Sequence, residues 1–293
     1  VFVGIGGCSS SGKTTLSRGV LHLLGGQCSV QPAISLDWYM DPSRMPSPAP
    51  HAEGGSNWET PEGVRYDLLL EELEKLQVFL EKLHPNGTVA NYSLEAVQPR
   101  QVELRICPGD DINETRIYVT LEGFLLYCDG TLSSRMSERF WIETSYATAL
   151  RRRLNRDIPT QLHENAQREA FAKYFETHIW KNYQLYRQAQ LDNARPVGVV
   201  DADWKVRDQL KFIQNQLRLS CDGDDRLREA CSGVQTDIED NAVPDLTTPE
   251  DRQAMSLVAQ AERSEEEGDT DQARILYRRV MRMSPTVAQF VGL

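Results

Sequence analysis

What the chain lacks narrows it first. It has no C-x-x-C pair, and its cysteines, at 8, 28, 107, 128, 221 and 231, show no metal-ligand spacing. A zinc module is therefore not expected, and the cysteines read as reduced thiols of an intracellular protein. No stretch approaches the roughly 18 apolar residues of a membrane span, and no charged-then-apolar leader is visible. The expectation is a cytoplasmic protein, with the nucleus also open, that has no membrane partner. Positive charge is scarce: 32 Lys and Arg face 43 Asp and Glu, for a formal net charge of −11 and a pI near 5.0. Nucleic acid is not expected as a partner, because duplex binding needs a basic face. An acidic chain can still bind a nucleotide where its few cations converge. Its 293 residues suit one large domain, or one domain with an appendage.

What is present starts at the first residues. The apolar run Val1-Phe2-Val3-Gly4-Ile5 leads into Gly7-x-x-x-x-Gly12-Lys13-Thr14, the spacing of a phosphate-binding loop, and an amphipathic segment follows at once. Glycines let the backbone curl so that its N–H groups point inward, and the next helix adds its positive N-terminal end. Lys13 can reach the outer phosphates, and the Thr14 hydroxyl can hold Mg²⁺. The expected contacts to a triphosphate and its Mg²⁺ are Gly7, Ser9, Ser10, Ser11, Gly12, Lys13, Thr14 and Thr15.

Further along, Cys28 to Ser35 reads as a strand, and Asp37 lies just past its carboxyl end. In a parallel sheet such a residue faces the ligand crevice; the plainer alternative is a turn or cap residue. Residues 41–63 are too rich in Pro, Ser and Gly for a core element, so they are either disordered or a lid over substrate. Thr60 is the expected cap of a helix that begins at Pro61 and buries Leu68, Leu69, Leu70, Leu73, Leu76, Phe79 and Leu80. Its face with Glu71, Glu72, Glu74 and Lys75 reads as solvated. Residues 84–116 alternate as edge strands do. Ile117 to Tyr127 reads as a buried strand carrying Glu122, and a lone buried carboxylate is costly unless a cation sits beside it. Glu122 is therefore the expected second-strand acid of the phosphate site. Phe140 to Thr144 and Pro196 to Asp201 read as further strands.

The helix from Tyr146 carries Arg151, Arg152, Arg153 and Arg156, either a solvated basic face or a lid that closes on the triphosphate; the lid is preferred. His178 reads as a core or hydrogen-bonded residue. Past Ser220 the composition turns acidic and poor in large apolar residues, as linkers are. Leu257, Ala261, Gly268, Ala273, Tyr277 and Pro285 then fall at the spacing of a tetratricopeptide helix pair. One such unit cannot bury its own face, so it must pack on the body of the chain or on other repeats, or meet a protein partner.

Together the phosphate loop, Ser35-Leu36-Asp37-Trp38-Tyr39, Leu121-Glu122-Gly123-Phe124-Leu125-Leu126, the arginine cluster and His178-Ile179-Trp180 through Arg187 resemble the nicotinamide riboside kinase family, within the uridine kinase-like P-loop group. The resemblance covers residues 1–219. It implies a three-layer α/β P-loop NTPase fold with a parallel sheet; the acidic linker over 220–249 and the tetratricopeptide-like helical hairpin over 250–293 lie outside it and rest on composition and spacing alone. It also implies transfer of the γ-phosphoryl of ATP to the 5′-hydroxyl of nicotinamide riboside, with uridine or cytidine as rival acceptors and a kinase-like scaffold as a rival of another class. By this similarity Asp37 is the general base, with Lys13 and Arg152 also in the catalytic set, and Thr14, Asp37 and Glu122 form the Mg²⁺ site. Arg152 and Arg156 contact ATP, and Trp204 and Lys205 lie near the adenine. Trp38, Tyr39, Met40, Trp58, Glu59 and Arg153 belong to the riboside side. Three departures bear on substrate choice. Trp38 replaces a second Asp, Glu59 replaces a shorter Asp, and Ile158 stands where an aromatic stacks on the nicotinamide ring. The last two matter by about 1–3 kcal/mol.

Overall fold

The computed structural model describes residues 1–24, 28–46, 57–82, 89–105, 116–157 and 165–219, then Leu227, Ala230 to Ser232, Gln253, Leu257, Gln260 and 270–283. It divides into two compact units, Val1–Leu150 with Tyr174–Asp237, and Arg151–Lys173 with Ile238–Leu293.

In the first unit, strand β1 (Phe2–Gly7) is the axis of the sheet. It pairs in parallel with β5 (Tyr118–Gly123) on one side and β6 (Glu138–Glu143) on the other. Beyond these lie β2 (Ser29–Ser35), parallel to β5, and β7 (Gly198–Asp201), parallel to β6. The hairpin β3 (Val89–Leu94) and β4 (Arg100–Arg105) joins β2 antiparallel, giving the order β3-β4-β2-β5-β1-β6-β7. The alternation seen in residues 84–116 thus forms a hairpin at the flank of the sheet, with β3 at the edge and β4 inside it, paired on both sides.

Helix α1 (Lys13–Leu23) puts Leu16, Val20 and Leu23 on one face of the sheet, against Val3 and Ile5 of β1 and Phe140 and Ile142 of β6. Helix α7 (Val206–Gln216) adds Leu210 and Ile213 to the same cluster. Leu227 and Ala230 also belong to it, at 2% and 0% exposure, although they fall in the stretch whose composition reads as linker. Composition averages over a segment; two apolar side chains are enough to fasten it.

Helix α2 (Tyr66–Glu81) starts later than the sequence suggests. Pro61–Gly63 is a separate 3₁₀ turn that the Thr60 side chain does not cap. The Thr60 hydroxyl donates instead to Asn57 O at 3.3 Å, and the next backbone groups are spent on a clamp. Asp41 N–H donates to Gly63 O and Arg65 N–H to Tyr39 O, each at 2.8 Å, so the 41–63 loop leaves and returns at one place. The solvated face expected for α2 also needs correction at one residue. Glu72 is fully buried, accepting from Lys75 Nζ at 3.3 Å and from the Glu95 N–H at 2.9 Å.

Short helix α3 (Gly130–Arg135) follows β5, capped by the Asp129 carboxylate. Helix α4 (Tyr146–Asp157) follows β6, and the boundary between the two units falls inside it. After it come α5 (Asn165–Tyr174), a π-helical segment Phe175–Trp180, and α6 (Lys181–Asn193). The wide turn gathers an aromatic group from distant parts of the first unit. Tyr146 contacts Phe175 and Trp180, and Tyr183 stacks on Trp141 with centroids 6.2 Å apart. In the second unit, helix α8 (Thr270–Met283) buries Leu276 and Val280 and leaves Ile275 half exposed. Among the described residues no helix is long and apolar enough to cross a membrane.

Candidate active site

The phosphate loop is shaped by backbone that ordinary residues avoid. Gly7 has φ 147°, Ser10 φ 63° and Gly12 φ 106°. A Cβ on Gly7 would lie 2.7 Å from the Ile142 carbonyl oxygen, so glycine is required there by space as well as by conformation. The Ser11 N–H returns to Cys8 O at 3.1 Å and closes the curl. Within it Lys13 is buried, its ammonium donating to Cys8 O at 2.7 Å. Ser10 Oγ is buried with no hydrogen-bond partner among the described residues. An orphaned hydroxyl is costly in a loop that serves only structure; a curled anion cradle accounts for it, and on this observation a phosphate group fits the loop.

Beside the cradle stand the acids. Glu122, at the carboxyl end of β5, accepts from Ser35 Oγ at 2.8 Å and from Thr14 Oγ1 at 3.4 Å through the same oxygen. Burial pushes the Glu122 carboxyl above its ordinary value of 4.5, the Lys13 charge opposes, Asp37 pushes it up further, and the two hydroxyls oppose. Asp37 thus stands close enough to Glu122 for its charge to be felt. It sits exposed on the 3₁₀ turn Leu36–Tyr39, whose cap is the Ser35 hydroxyl, accepting from Asp37 N–H at 3.4 Å. Gly123 brings that turn in: a Cβ there would meet Leu36 Cβ at 2.5 Å. The Glu-Gly pair therefore supplies an acid and, in the next residue, the room for the turn bearing a second acid.

Among the described residues no group of three or more His, Cys, Asp and Glu converges as a metal cage. The donor set is two carboxylates with the Thr14 and Ser35 hydroxyls, all oxygen. That partial set fits Mg²⁺, which keeps waters and phosphate oxygens in the rest of its shell.

Of the other expected site residues, Trp38 is half-buried and Tyr39 and Met40 point inward, at 0% and 5% exposure. Trp58 is 47% exposed, and the Glu59 N–H is held by Asn57 Oδ1 at 3.1 Å. Both sit beyond the clamp at the base of the 41–63 loop. Trp204, 44% exposed, meets Phe212 edge-on at 6.0 Å, and Lys205 caps α7. Arg152, Arg153 and Arg156 belong to the second unit, where Arg153 and Arg156 both pair with Asp157. Ile158 lies outside the described residues. His178 is buried, stacked on Tyr174 with centroids 4.9 Å apart and linked through Nδ1 to the Thr177 hydroxyl at 2.9 Å.

Sequence reasoning missed two participants. Ser35 joins the acids, and its signal was local: a Ser two residues before an Asp is the pattern of a side-chain-capped turn. Glu143 ends β6 one residue past Ile142, the partner of Gly7. Its carboxylate accepts from Arg187 Nη2 at 2.8 Å, Trp141 Nε1 at 3.0 Å, Arg187 Nε at 3.2 Å and Tyr183 Oη at 3.4 Å. This brace ties α6 to the strand beside the cradle, and no periodicity could have signalled a pairing across 44 positions.

No family model matches the chain. It is 27% identical over 202 residues to a nicotinamide riboside kinase of Eremothecium gossypii, covering 66% of this chain and 80% of that protein. It is also 27% identical over 223 residues to nicotinamide riboside kinase 2 of Homo sapiens, covering 74% and 82%. A uridine kinase of Chloroflexus aurantiacus is 26% identical over 163 residues, covering 54% and 68%. Among solved structures, a possible uridine kinase from Bacillus stearothermophilus gives a TM-score of 0.40 at 14% identity, over 69% of this chain and 88% of that one, a likeness too loose to carry an argument. By sequence the chain is similar to the nicotinamide riboside kinases and uridine kinases, within the uridine kinase-like group of P-loop kinases.

Proposed function

We propose that the chain is an ATP- and Mg²⁺-dependent nucleoside kinase that phosphorylates the 5′-hydroxyl of nicotinamide riboside to give the mononucleotide. The observation that carries this reading is the junction of Thr14, Ser35 and Glu122 beside the phosphate loop, with Asp37 exposed on the adjoining turn. The loop N–H groups and Lys13 hold the triphosphate, and Thr14, Asp37 and Glu122 offer the metal its oxygens. When bound, Mg²⁺ neutralises charge on the phosphates. Asp37 accepts a hydrogen bond from the acceptor hydroxyl and takes its proton as the new P–O bond to the γ-phosphorus forms and the bond from that phosphorus to the β,γ-bridging oxygen breaks, releasing ADP. By the family resemblance Arg152 and Arg156 serve ATP, Trp204 and Lys205 serve the adenine, Arg153 serves the riboside, and Trp38, Trp58 and Glu59, with the buried Tyr39 and Met40, form the riboside side of the first unit. Catalysis is then mostly positioning and charge neutralisation.

The test is a panel of nucleosides with ATP and Mg²⁺, on wild type and Asp37→Ala. Nicotinamide riboside is the preferred acceptor, and Asp37→Ala lowers kcat by about 10²–10⁴ while a non-hydrolysable ATP analogue still binds. Substantial residual turnover overturns the base. Preference for uridine or cytidine overturns the acceptor; the uridine kinases among the relatives and Glu59 in place of a shorter Asp keep that second reading in view. Analogue binding with no transfer to any nucleoside favours a kinase-like scaffold, its helices past residue 250 serving a protein partner. For those helices we retain the tetratricopeptide-like reading, as a module following the kinase domain and an acidic linker.

A further inference from the structure

The outer flank of the sheet carries a groove that the kinase reading leaves unused. Residues paired across neighbouring strands point to the same face. The registers Gln31↔Glu103 and Asn91↔Glu103 therefore align Gln31, Glu103 and Asn91, and Ser93↔Gln101, with Arg105 two residues past Glu103, extends that row. The residues between them, Val102, Leu104 and Leu94, are buried, and Phe79 of α2 meets Tyr92 on their side with centroids 5.0 Å apart. The polar row is walled by one flank of α1, through Arg18, Leu21 and His22. The groove between them measures about 620 Å³, within the range of small-molecule sites.

Its lining has a definite chemistry. Among the described residues of its lining, Arg18 and Arg105 stand with one carboxylate, Glu103, so this lining is net positive within a chain of net charge −11. Arg105 Nε donates to Glu103 at 3.1 Å, an ion pair that orients the guanidinium. Gln31, Asn91 and Gln101 bring side-chain amides, each both donor and acceptor, and Leu21 and Pro32 bring apolar surface. Guanidinium groups suit a phosphate, amides suit the edge of a heterocycle, and apolar surface suits its face.

We propose that this groove binds a nucleoside monophosphate at a site separate from the phosphate cradle. Its two walls belong to elements that end at the candidate active site. Helix α1 begins at Lys13 and Thr14, and β2 runs from Gln31 and Pro32 to Ser35, through a register shift against β5 between Val30 and Ile34. A ligand on Gln31 and Pro32 bears on that irregular stretch and hence on the turn of Asp37. This regulatory part rests on the kinase reading; binding does not.

The experiment is calorimetric titration of the full chain with AMP, the cradle first saturated with Mg²⁺ and a non-hydrolysable ATP analogue. AMP binds the saturated protein, and Arg105→Glu and Asn91→Ala each weaken it about tenfold or more, a change of ~1.4 kcal/mol, with analogue affinity and melting temperature unchanged. AMP binding that disappears when the cradle is filled, or that both variants retain at the wild-type Kd, overturns the proposal. So does inorganic phosphate binding as tightly as AMP, since the amides and apolar surface would then read nothing. A chain inactive on every nucleoside leaves this titration interpretable, so the two readings fail separately.

Discussion

Glu122 concentrates the conflict of the site in one side chain. Its buried carboxyl is held above the ordinary 4.5, chiefly by loss of water, against the pull of Lys13. The folded chain therefore keeps this proton more tightly than the unfolded chain does. Its contribution to stability is present below about pH 4.5 and is lost as pH rises through the raised folded value. Glu122→Gln removes the penalty while still accepting from Ser35. Without metal, the variant is expected to melt above wild type at pH 7, with the gap closing toward pH 4.5. Added Mg²⁺ then raises the wild-type midpoint and leaves the variant's in place. Thermal melts across pH with and without Mg²⁺ check both, and a variant less stable than wild type at pH 7 without metal would count against a carboxylate waiting for a cation. The sequence made Glu122 legible because a lone acid inside VTLEGF has no ordinary reason to be there. Ser35 drew no such notice, since a serine at a strand end is commonplace.

At the level of elements, the β3–β4 hairpin is fastened by Glu72 rather than by apolar contact alone. The carboxylate is wholly buried, with Lys75 Nζ and the Glu95 N–H as its donors, and Lys75 is drawn on by Glu95 and Glu71 as well. Hydrogen bonding to Glu95, first of all, raises the Lys75 pKa. Glu72→Ala leaves the Glu95 N–H without its partner, a loss of about 1–3 kcal/mol. Urea unfolding should show that loss, and Glu72→Gln should recover part of it, because the amide oxygen can still accept. An unchanged urea midpoint in Glu72→Ala would refute the fastening. The strands themselves were legible from alternation in Gln101-Val102-Glu103-Leu104. The role of Glu72 was not, because at helical spacing it sits among Glu71, Glu74 and Lys75 and looks like one more solvated charge.

For the whole molecule, the question is where the sheet-bearing unit ends. Leu227 and Ala230 complete the cluster built by α1 and α7 over the sheet, in a segment whose acidic composition suggests a tether. Leu227→Ala should cost about 2–5 kcal/mol, the range for a leucine emptied from a packed core. A tethering role predicts almost no change, so the urea midpoint decides between them. A chain ended after Leu219 should be destabilised in the same way, and one ended after Asp237 should keep these two core side chains.

By itself the sequence determined the phosphate loop, the alternation of strands and helices behind it, and the two acids at strand ends. Each of these is written in neighbours: a glycine where φ must be positive, an apolar run, a charge where burial forbids one. The tertiary structure decided which strand lies beside which, and so brought Ser35 and Thr14 onto one oxygen of Glu122 across 87 and 108 positions. It also decided that Glu72 is interior, that Glu143 is spent on Arg187, and that the hairpin's polar face meets the flank of α1. Contacts between residues far apart in the chain depend on sheet order and register, which local pattern does not encode.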